Sequence, residues 1–335
     1  MHYQHRKPLR RVLGAGIGLL LTAGLLAACT GSDDPAAITP AGGHVYVTNQ
    51  LDNTLSVING HTNQVTATVP AGTAPEGVAV TPDHKYVYIA DNGSAEVSVL
   101  DARTNKIVAT VRVGMDPSGI AISPNGRYLY VANGGSNNVS VLDTHTNRVT
   151  ATIPVGISPV SVAVSHDGTA VYVANAGSGS LSVIDTRTNR TVRTLPTGQT
   201  PVGVAVSANG RSAYVANEIA ARVSVIATNT GTIKATVPVG EGPFDVELAP
   251  NGQSVYAAVL GPGNLSAINT QTHRISGTVN IGPPQTDPFN IAATSSAVYV
   301  TNQGAGTLTV IDPNSLKVAA TITVGNSPYG VAVAP

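Results

Sequence analysis

Tryptophan is missing from this chain, phenylalanine occurs twice and cysteine once. With no second thiol, no intrachain disulfide can form, so a folded domain must be held by packing and hydrogen bonding. Charge is scarce: 18 basic and 18 acidic residues make up 11% of the sequence and cancel. The first 28 residues hold Arg6, Lys7, Arg10 and Arg11 and no acid, which leaves 14 basic against 18 acidic residues in the remainder. A mildly acidic chain without a basic block excludes the usual kind of nucleic-acid binder, so no nucleic acid is expected among its partners. Catalytic signatures are absent too, with no Gly-x-Ser-x-Gly elbow, His-Glu-x-x-His pair, paired cysteines or phosphate loop, and no cofactor is expected. Glycine (35) and proline (22) are plentiful beside Val, Thr, Ala, Asn and Ser. That is the composition of short strands and tight turns.

The N-terminus is organised differently. A positive stretch, His5 to Arg11, precedes an apolar run from Val12 to Ala28 rich in Gly, Ala and Leu, the pattern of an export signal. The run ends Leu26-Ala27-Ala28-Cys29, which resembles the bacterial lipobox and implies cleavage before Cys29 and lipid on its thiol. The alternatives are an uncleaved anchor, marginal at seventeen residues for a hydrocarbon core of roughly 30 Å, or an ordinary secretory signal. Residues 29–43 then form a polar, Pro- and Gly-rich tether. The expected organisation is a signal peptide at 1–28, a lipidated tether at 29–43 and one domain at 44–335, placed outside the cytoplasm on a bacterial membrane.

That domain is a repeat. A Val/Leu-Tyr-Val-Ala/Thr-Asn element places its tyrosine at Tyr46, Tyr88, Tyr130, Tyr172, Tyr214, Tyr256 and Tyr299, spaced by 42 residues five times and then by 43. Each unit reads as four short strands with period-two alternation, separated by turn residues such as Pro124-Asn125-Gly126 and Asp143 to Asn147. A period in the low forties with four strands is the signature of propeller blades, so an all-β, seven-bladed propeller of four antiparallel strands per blade is predicted. The repeat starts on a second strand near Val45 and ends on a first strand near Gly330 to Val333. Closure must therefore come from the C-terminal strand pairing with the N-terminal blade, which leaves no open sheet edge. A monomer is expected.

Tyr46-Val47-Thr48-Asn49 and Tyr299-Val300-Thr301-Asn302 resemble the element that names the YVTN family of β-propeller repeats, and the resemblance extends over residues 42–335. It is similar in turn to YncE-like and surface-layer-associated proteins. The resemblance implies a cell-envelope propeller, mostly without assigned chemistry, although a lactonase-like branch is enzymatic. Such a repeat specifies fold strongly and function weakly.

Function in a repeat protein is best sought where one unit departs from the others. The scattered histidines His61, His84, His145, His166 and His273 read as solvated turn residues. The recurrent Asn49, Asn92, Asn133, Asn175, Asn217 and Asn302, with Asp101, Asp143, Asp185 and Asp312, read as turn residues bonding their own backbone. One position varies informatively: just ahead of each first strand, in the loop to the central channel, stand Glu76, Ser118, Val160, Val202, Phe244, Phe289 and Tyr329. Both phenylalanines fall in this ring, and Phe244, Phe289, Tyr329 and Glu76 are consecutive around it, an aromatic arc ending in a carboxylate. In the same sector the small slots of the first strand become Asp245, Glu247 and Asn290, and the loop Gly282 to Pro288 is three residues longer than its counterparts. Buried carboxylates there need water, a cation or a ligand. The other reading is drift, with aromatics plugging an irregular interface; no metal site is assigned.

The expected function is a lipid-anchored binding or scaffolding module for a small molecule or an envelope protein, with Phe244, Phe289, Tyr329, Glu76, Asp245, Glu247 and Asn290 as candidate ligand contacts. The alternative is a lactonase-like hydrolase or lyase using Glu76, Asp245 or Glu247 as acid or base. The chain enters the first blade on the face of the first-to-second and third-to-fourth turns. The aromatic ring is thus expected to point away from the membrane.

Overall fold

The computed structural model describes residues 43–283 and 285–334; the segment expected to be an export signal, Cys29, and all but the last residue of the expected tether lie outside them. The described strands group into seven four-stranded antiparallel sheets. Each sheet is one blade, numbered I to VII from the N-terminus. Blade I is built from both ends of the domain: Pro328–Ala334 is its inner strand, followed by His44–Asn49, Thr54–Asn59 and Gln64–Pro70. The inner strands of blades II to VII are Pro75–Val80, Pro117–Ile122, Pro159–Val164, Pro201–Val206, Pro243–Leu248 and Pro288–Ala293.

Every inner strand opens on a proline, where the missing N–H costs no ladder bond. The residue before it has a positive φ in all seven blades, from 48° at Ala74 to 70° at Gly242. This left-handed corner followed by a fixed φ turns the chain from the rim of one blade to the axis of the next.

The apolar core lies between blades. Tyr46 of blade I packs with Val78, Val87, Ile89 and Leu100 of blade II. Tyr88 of blade II packs with Leu129, Val131 and Leu142 of blade III, and its hydroxyl donates to Asn147 Oδ1 there at 2.9 Å. The tyrosine recurs every 42 residues because it is the side chain that reaches the neighbouring blade.

The predicted closure is present. Val45 pairs with Val333, Tyr46 with Ala332 and Val47 with Val331. The inner strand of blade I is pressed against blade II: a Cβ at Gly330 would collide with the backbone oxygen of Glu76, so only glycine fits that approach.

The recurrent asparagines are structural, but their partners differ from the expectation. Asn49, Asn133, Asn175, Asn217 and Asn302 are fully buried. Each donates from Nδ2 to a hydroxyl on the third strand of its own blade, as Asn49 does to Ser56 Oγ at 2.9 Å and Asn302 to Thr309 Oγ1 at 2.8 Å. Asn49 Oδ1 also accepts from Gly325 N at 3.0 Å, so the side chain ties strands and loop together instead of folding onto its own turn. In blade II the slot belongs to Asp91, which accepts from Ser98 Oγ at 2.6 Å; Asn92 lies one residue beyond, in a short 3₁₀ turn. Asp101, Asp143, Asp185 and Asp312 do cap their own turns, as predicted.

The two YVTN threonines act as clips between blades. Gly330 N donates to Thr48 Oγ1 at 2.8 Å, and that hydroxyl donates to Glu76 O of blade II. Asn290 N likewise donates to Thr301 Oγ1 at 3.0 Å, which donates to Tyr329 O of blade I at 2.7 Å. Alanine fills this slot in the other five blades. Thr301→Val, similar in volume but without the hydroxyl, is expected to cost about 1–3 kcal/mol in equilibrium urea unfolding, with Thr301→Ser close to wild type. Equal stability of Thr301→Val and wild type would show that the clip contributes nothing.

Candidate functional site

The central channel has a volume of about 1230 Å³ and runs from the ring of variable residues to the first-to-second turns on the opposite face, where His166 and Ser296 line it. Its wall is mostly Val, Ala, Ile and Gly, because the inner strands approach one another too closely for larger groups.

The ring residues are the second residues of the inner strands, directly after the prolines. In blades VI, VII and I they crowd together. Phe244 stacks on Phe289 at 3.6 Å between centroids and 26° between planes. Tyr329 meets Phe289 edge-on at 4.5 Å and 63° and Phe244 at 6.2 Å and 89°. Phe289 is buried beneath the other two and does not line the channel, whereas Phe244 and Tyr329 are only partly buried and do. The arc is thus a packed aromatic wall with two accessible rings.

Glu76 is also buried and outside the lumen. Gln50 Nε2 donates to its Oε1 at 2.9 Å, and the hydroxyls of Ser118 and Tyr329, 3.2 Å apart, stand near its carboxyl and favour its charged form. Burial outweighs these three groups and pushes the Glu76 carboxyl up to about 7, with Asp116 adding a smaller repulsion. Burial and the Glu76 charge together hold the Tyr329 phenol well above its ordinary range. This network joins blades I, II and III. Ser118 and Gln50 were not singled out from the sequence; the polar residue at a ring position was the available signal for Ser118, and none existed for Gln50.

Asp245 and Asn290 occupy the slot that is glycine in four blades. Asn290 Nδ2 and Ile291 N each donate to Asp245 Oδ2 at 3.0 Å, and Val331 N donates to Asn290 Oδ1 at 3.3 Å. These bonds fasten the inner strands of blades VI, VII and I side by side. The Asp245 carboxyl is nonetheless pushed up to about 7 by burial, with the backbone amides of Ile291 and Val246 opposing.

Glu247 differs from all of these. Its slot is alanine in the six other blades, facing the lumen. Among the described residues its carboxyl has no hydrogen-bond partner, and enclosure by the channel wall followed by the nearby Asp245 charge pushes it up to about 8. Although it is ringed by protein, part of its surface opens to the lumen. The long loop before blade VII packs on its own blade: a Cβ at Gly304 would meet Gln285 O and the Asp287 carboxylate, and none of its described residues lines the channel. Of the seven candidate contacts, Phe244, Tyr329, Asp245, Glu247 and Asn290 therefore meet at the lumen, while Glu76 and Phe289 support them from behind.

Several known proteins share this architecture. Residues 7–134 match the family described as YNCE-like beta-propeller, and residues 121–204 match the cytochrome D1 heme domain. Among solved structures, hydrazine synthase of Kuenenia stuttgartiensis is similar at 22% identity and a TM-score of 0.70, covering 76% of this chain and 88% of that one. A functionally unknown protein from Desulfotomaculum acetoxidans DSM 771 is 16% identical with a TM-score of 0.75, over 87% and 98% of the two chains. The dihydro-heme d1 dehydrogenase NirN in complex with DHE is 16% identical with a TM-score of 0.66, over 87% and 75%. No curated protein matches the chain in sequence. Over residues 7–134 the chain is thus similar to the YNCE-like beta-propellers, and the same repeat and topology continue through all seven blades.

Proposed function

We propose that this propeller is a lipid-anchored binding module of a bacterial cell envelope, held by Cys29, that takes a small uncharged or cationic ligand at the aromatic mouth of its channel. The observation that carries the reading is Glu247: a carboxyl without a hydrogen-bond partner among the described residues, in a lumen of about 1230 Å³, on a wall built mostly from small apolar residues. Phe244 and the Tyr329 ring supply an apolar wall. Asp245 and Glu247 provide hydrogen bonding and, when ionised, negative charge.

A haem of the d1 kind, suggested by the cytochrome D1 match and by NirN, does not fit these residues. Among the described residues no Lys or Arg lines the channel to meet a carboxylated macrocycle, its acids would repel one, and the one lining histidine, His166, stands at the far end from the aromatic wall. The lactonase-like alternative draws support from Glu247, whose displaced titration suits a general acid or base.

Benzylamine and benzoate, equal in ring size and opposite in charge, make a simple probe pair followed by NMR chemical shifts of the propeller. Benzylamine is expected to bind and benzoate not, with Glu247→Ala weakening benzylamine by at least about tenfold. Equal binding of the two probes, or no effect of Glu247→Ala, would overturn the site. Lactone turnover that disappears in Glu247→Gln would favour the enzymatic reading.

A further inference from the structure

The near-neutral composition conceals a sharp separation of charge between the two faces. The first-to-second and third-to-fourth turns share one face, and the second strand of blade I starts there at His44. Lys85, Arg127 and Arg211 sit in first-to-second turns. Arg103 and Arg187 sit in third-to-fourth turns, and Lys106, Arg148, Arg190, Arg274 and Lys317 open the outer strands beside them. Arg193 Nη1 donates to Thr228 O at 2.7 Å and Lys234 Nζ to Ser212 Oγ at 3.2 Å, which brings both to the same face.

Twelve of the 14 basic residues after position 28 therefore lie on this entry face, against six acids: Asp83, Asp101, Asp143, Asp167, Asp185 and Asp312. The net is +6. The opposite face holds only Arg112 and Arg222 against the ten other described acids, with Asp245 and Glu247 counted there. Eleven of the twelve basic side chains are exposed, and two of them form ion pairs with carboxylates, Lys85 with Asp83 at 3.2 Å and Arg127 with Asp143 at 2.8 Å. The six acids are engaged by the turns they close, as Asp101 Oδ1 is by Thr104 N at 2.8 Å and Asp167 Oδ1 by Thr169 N at 3.0 Å. All six described histidines lie on the entry face as well.

Repeat geometry explains the segregation, since each blade places the same loop positions on the same side, and a preference at one position becomes a ring of like charges. The ring surrounds the point at which the rest of the chain joins the propeller. Residues 30–43 between that point and Cys29 span at most about 40–50 Å when extended, at roughly 3.3 Å per residue. A lipid on Cys29 would hold the basic face, and not the acidic one, within reach of the bilayer.

We propose that the entry face docks flat on anionic lipid headgroups, so that the propeller is fixed in orientation as well as tethered, with its acidic channel mouth turned outward. Lys and Arg near an anionic bilayer each add attraction that decays within a Debye length, so a rigid ring of them acts together only when the whole face is parallel to the surface. The inference rests on the anchor reading for the tether alone and is independent of any ligand in the channel.

The test uses the chain from Thr30 onward, which carries no acyl site and whose seven sheets are complete without the preceding residues. Co-sedimentation is measured with phosphatidylcholine vesicles and with vesicles containing about 30 mol% phosphatidylglycerol, at about 50 mM salt and again at about 500 mM. Binding is expected only to the phosphatidylglycerol vesicles at low salt. It is expected to fall at least about tenfold in Arg103→Gln/Lys106→Gln/Arg187→Gln/Arg190→Gln, all exposed turn residues, and to be unchanged in Arg112→Gln/Arg222→Gln on the other face. Equal binding to both vesicle types, or equal loss in both variants, would overturn the proposal. Tighter binding to a DNA duplex than to phosphatidylglycerol vesicles at matched salt would also overturn it, in favour of a nucleic-acid partner. Because the probe chain has no lipid, failure of docking leaves acylation of Cys29 to be read separately from mass spectrometry of the exported protein.

Discussion

Deleting Pro328–Ala334 is expected to abolish the folded monomer, even though the deletion removes only seven residues. The strand is the whole inner edge of blade I, paired along His44–Asn49 from Ala334 to Pro328. Val331 belongs to the core cluster shared with blade VII and Ala334 to the cluster shared with blade II, so both flanking interfaces are opened at once. The deletion also exposes His44–Asn49 as a sheet edge and leaves the Thr48 clip without its donor, Gly330 N. Loss of two half-interfaces and one strand ladder exceeds the roughly 5–15 kcal/mol by which a domain is normally stable. Size-exclusion chromatography should show aggregates or strand-exchanged oligomers, and calorimetry no cooperative transition near that of the intact chain. A monomer as heat-resistant as wild type would mean that the ring does not depend on this seam.

Much of this was legible in the sequence because the repeat multiplies each signal. Seven tyrosines at near-constant spacing fix the blade count, and a repeat whose first recognisable strand, at Val45, is a second strand and whose last, at Val333, is a first strand points to the closure. The ring of variable residues was found by comparing Phe244, Phe289, Tyr329 and Glu76 with their repeat equivalents. Alternation does not reveal depth, however. Phe289 and Glu76 have the same sequence position as Phe244 and Tyr329, yet they lie behind the wall, because side chains at a narrow axis cannot all face the lumen. The Asn partners were missed because Asn49 and Ser56 meet across a hairpin, and periodicity along one strand is silent about hydrogen bonds between strands. Charge segregation escaped for a different reason. Composition averages over both faces, and only a count of residues by turn type separates the +6 entry face from its acidic opposite.

Raising the pH from about 4.5 to about 8.5 is expected to weaken the propeller, and Glu247→Gln to remove a measurable part of that slope. Glu247 titrates at about 8 in the folded protein, against an ordinary value of 4.5. Near pH 4.5 and below, the folded carboxyl keeps its proton, and an unfolded one holds it increasingly as pH falls. Between the two values only the folded state stays protonated, so it binds more protons than the unfolded chain and stability falls as pH rises. Above 8 both states are ionised, and the folded state carries the full penalty of a charge enclosed beside Asp245. Each pH unit inside the window is worth at most about 1.4 kcal/mol. Because the channel opens to water and part of the side chain faces it, the net effect across the window is expected to be about 1–3 kcal/mol. Asp245 and Glu76, both raised to about 7, act in the same direction and leave a residual slope in the variant. Urea unfolding at the two pH values should therefore find Glu247→Gln close to wild type at the lower one and more stable at the higher one. Parallel pH profiles for the two proteins would place the Glu247 carboxylate in full contact with solvent, and the lumen would then lose the uncompensated group on which its ligand site is argued.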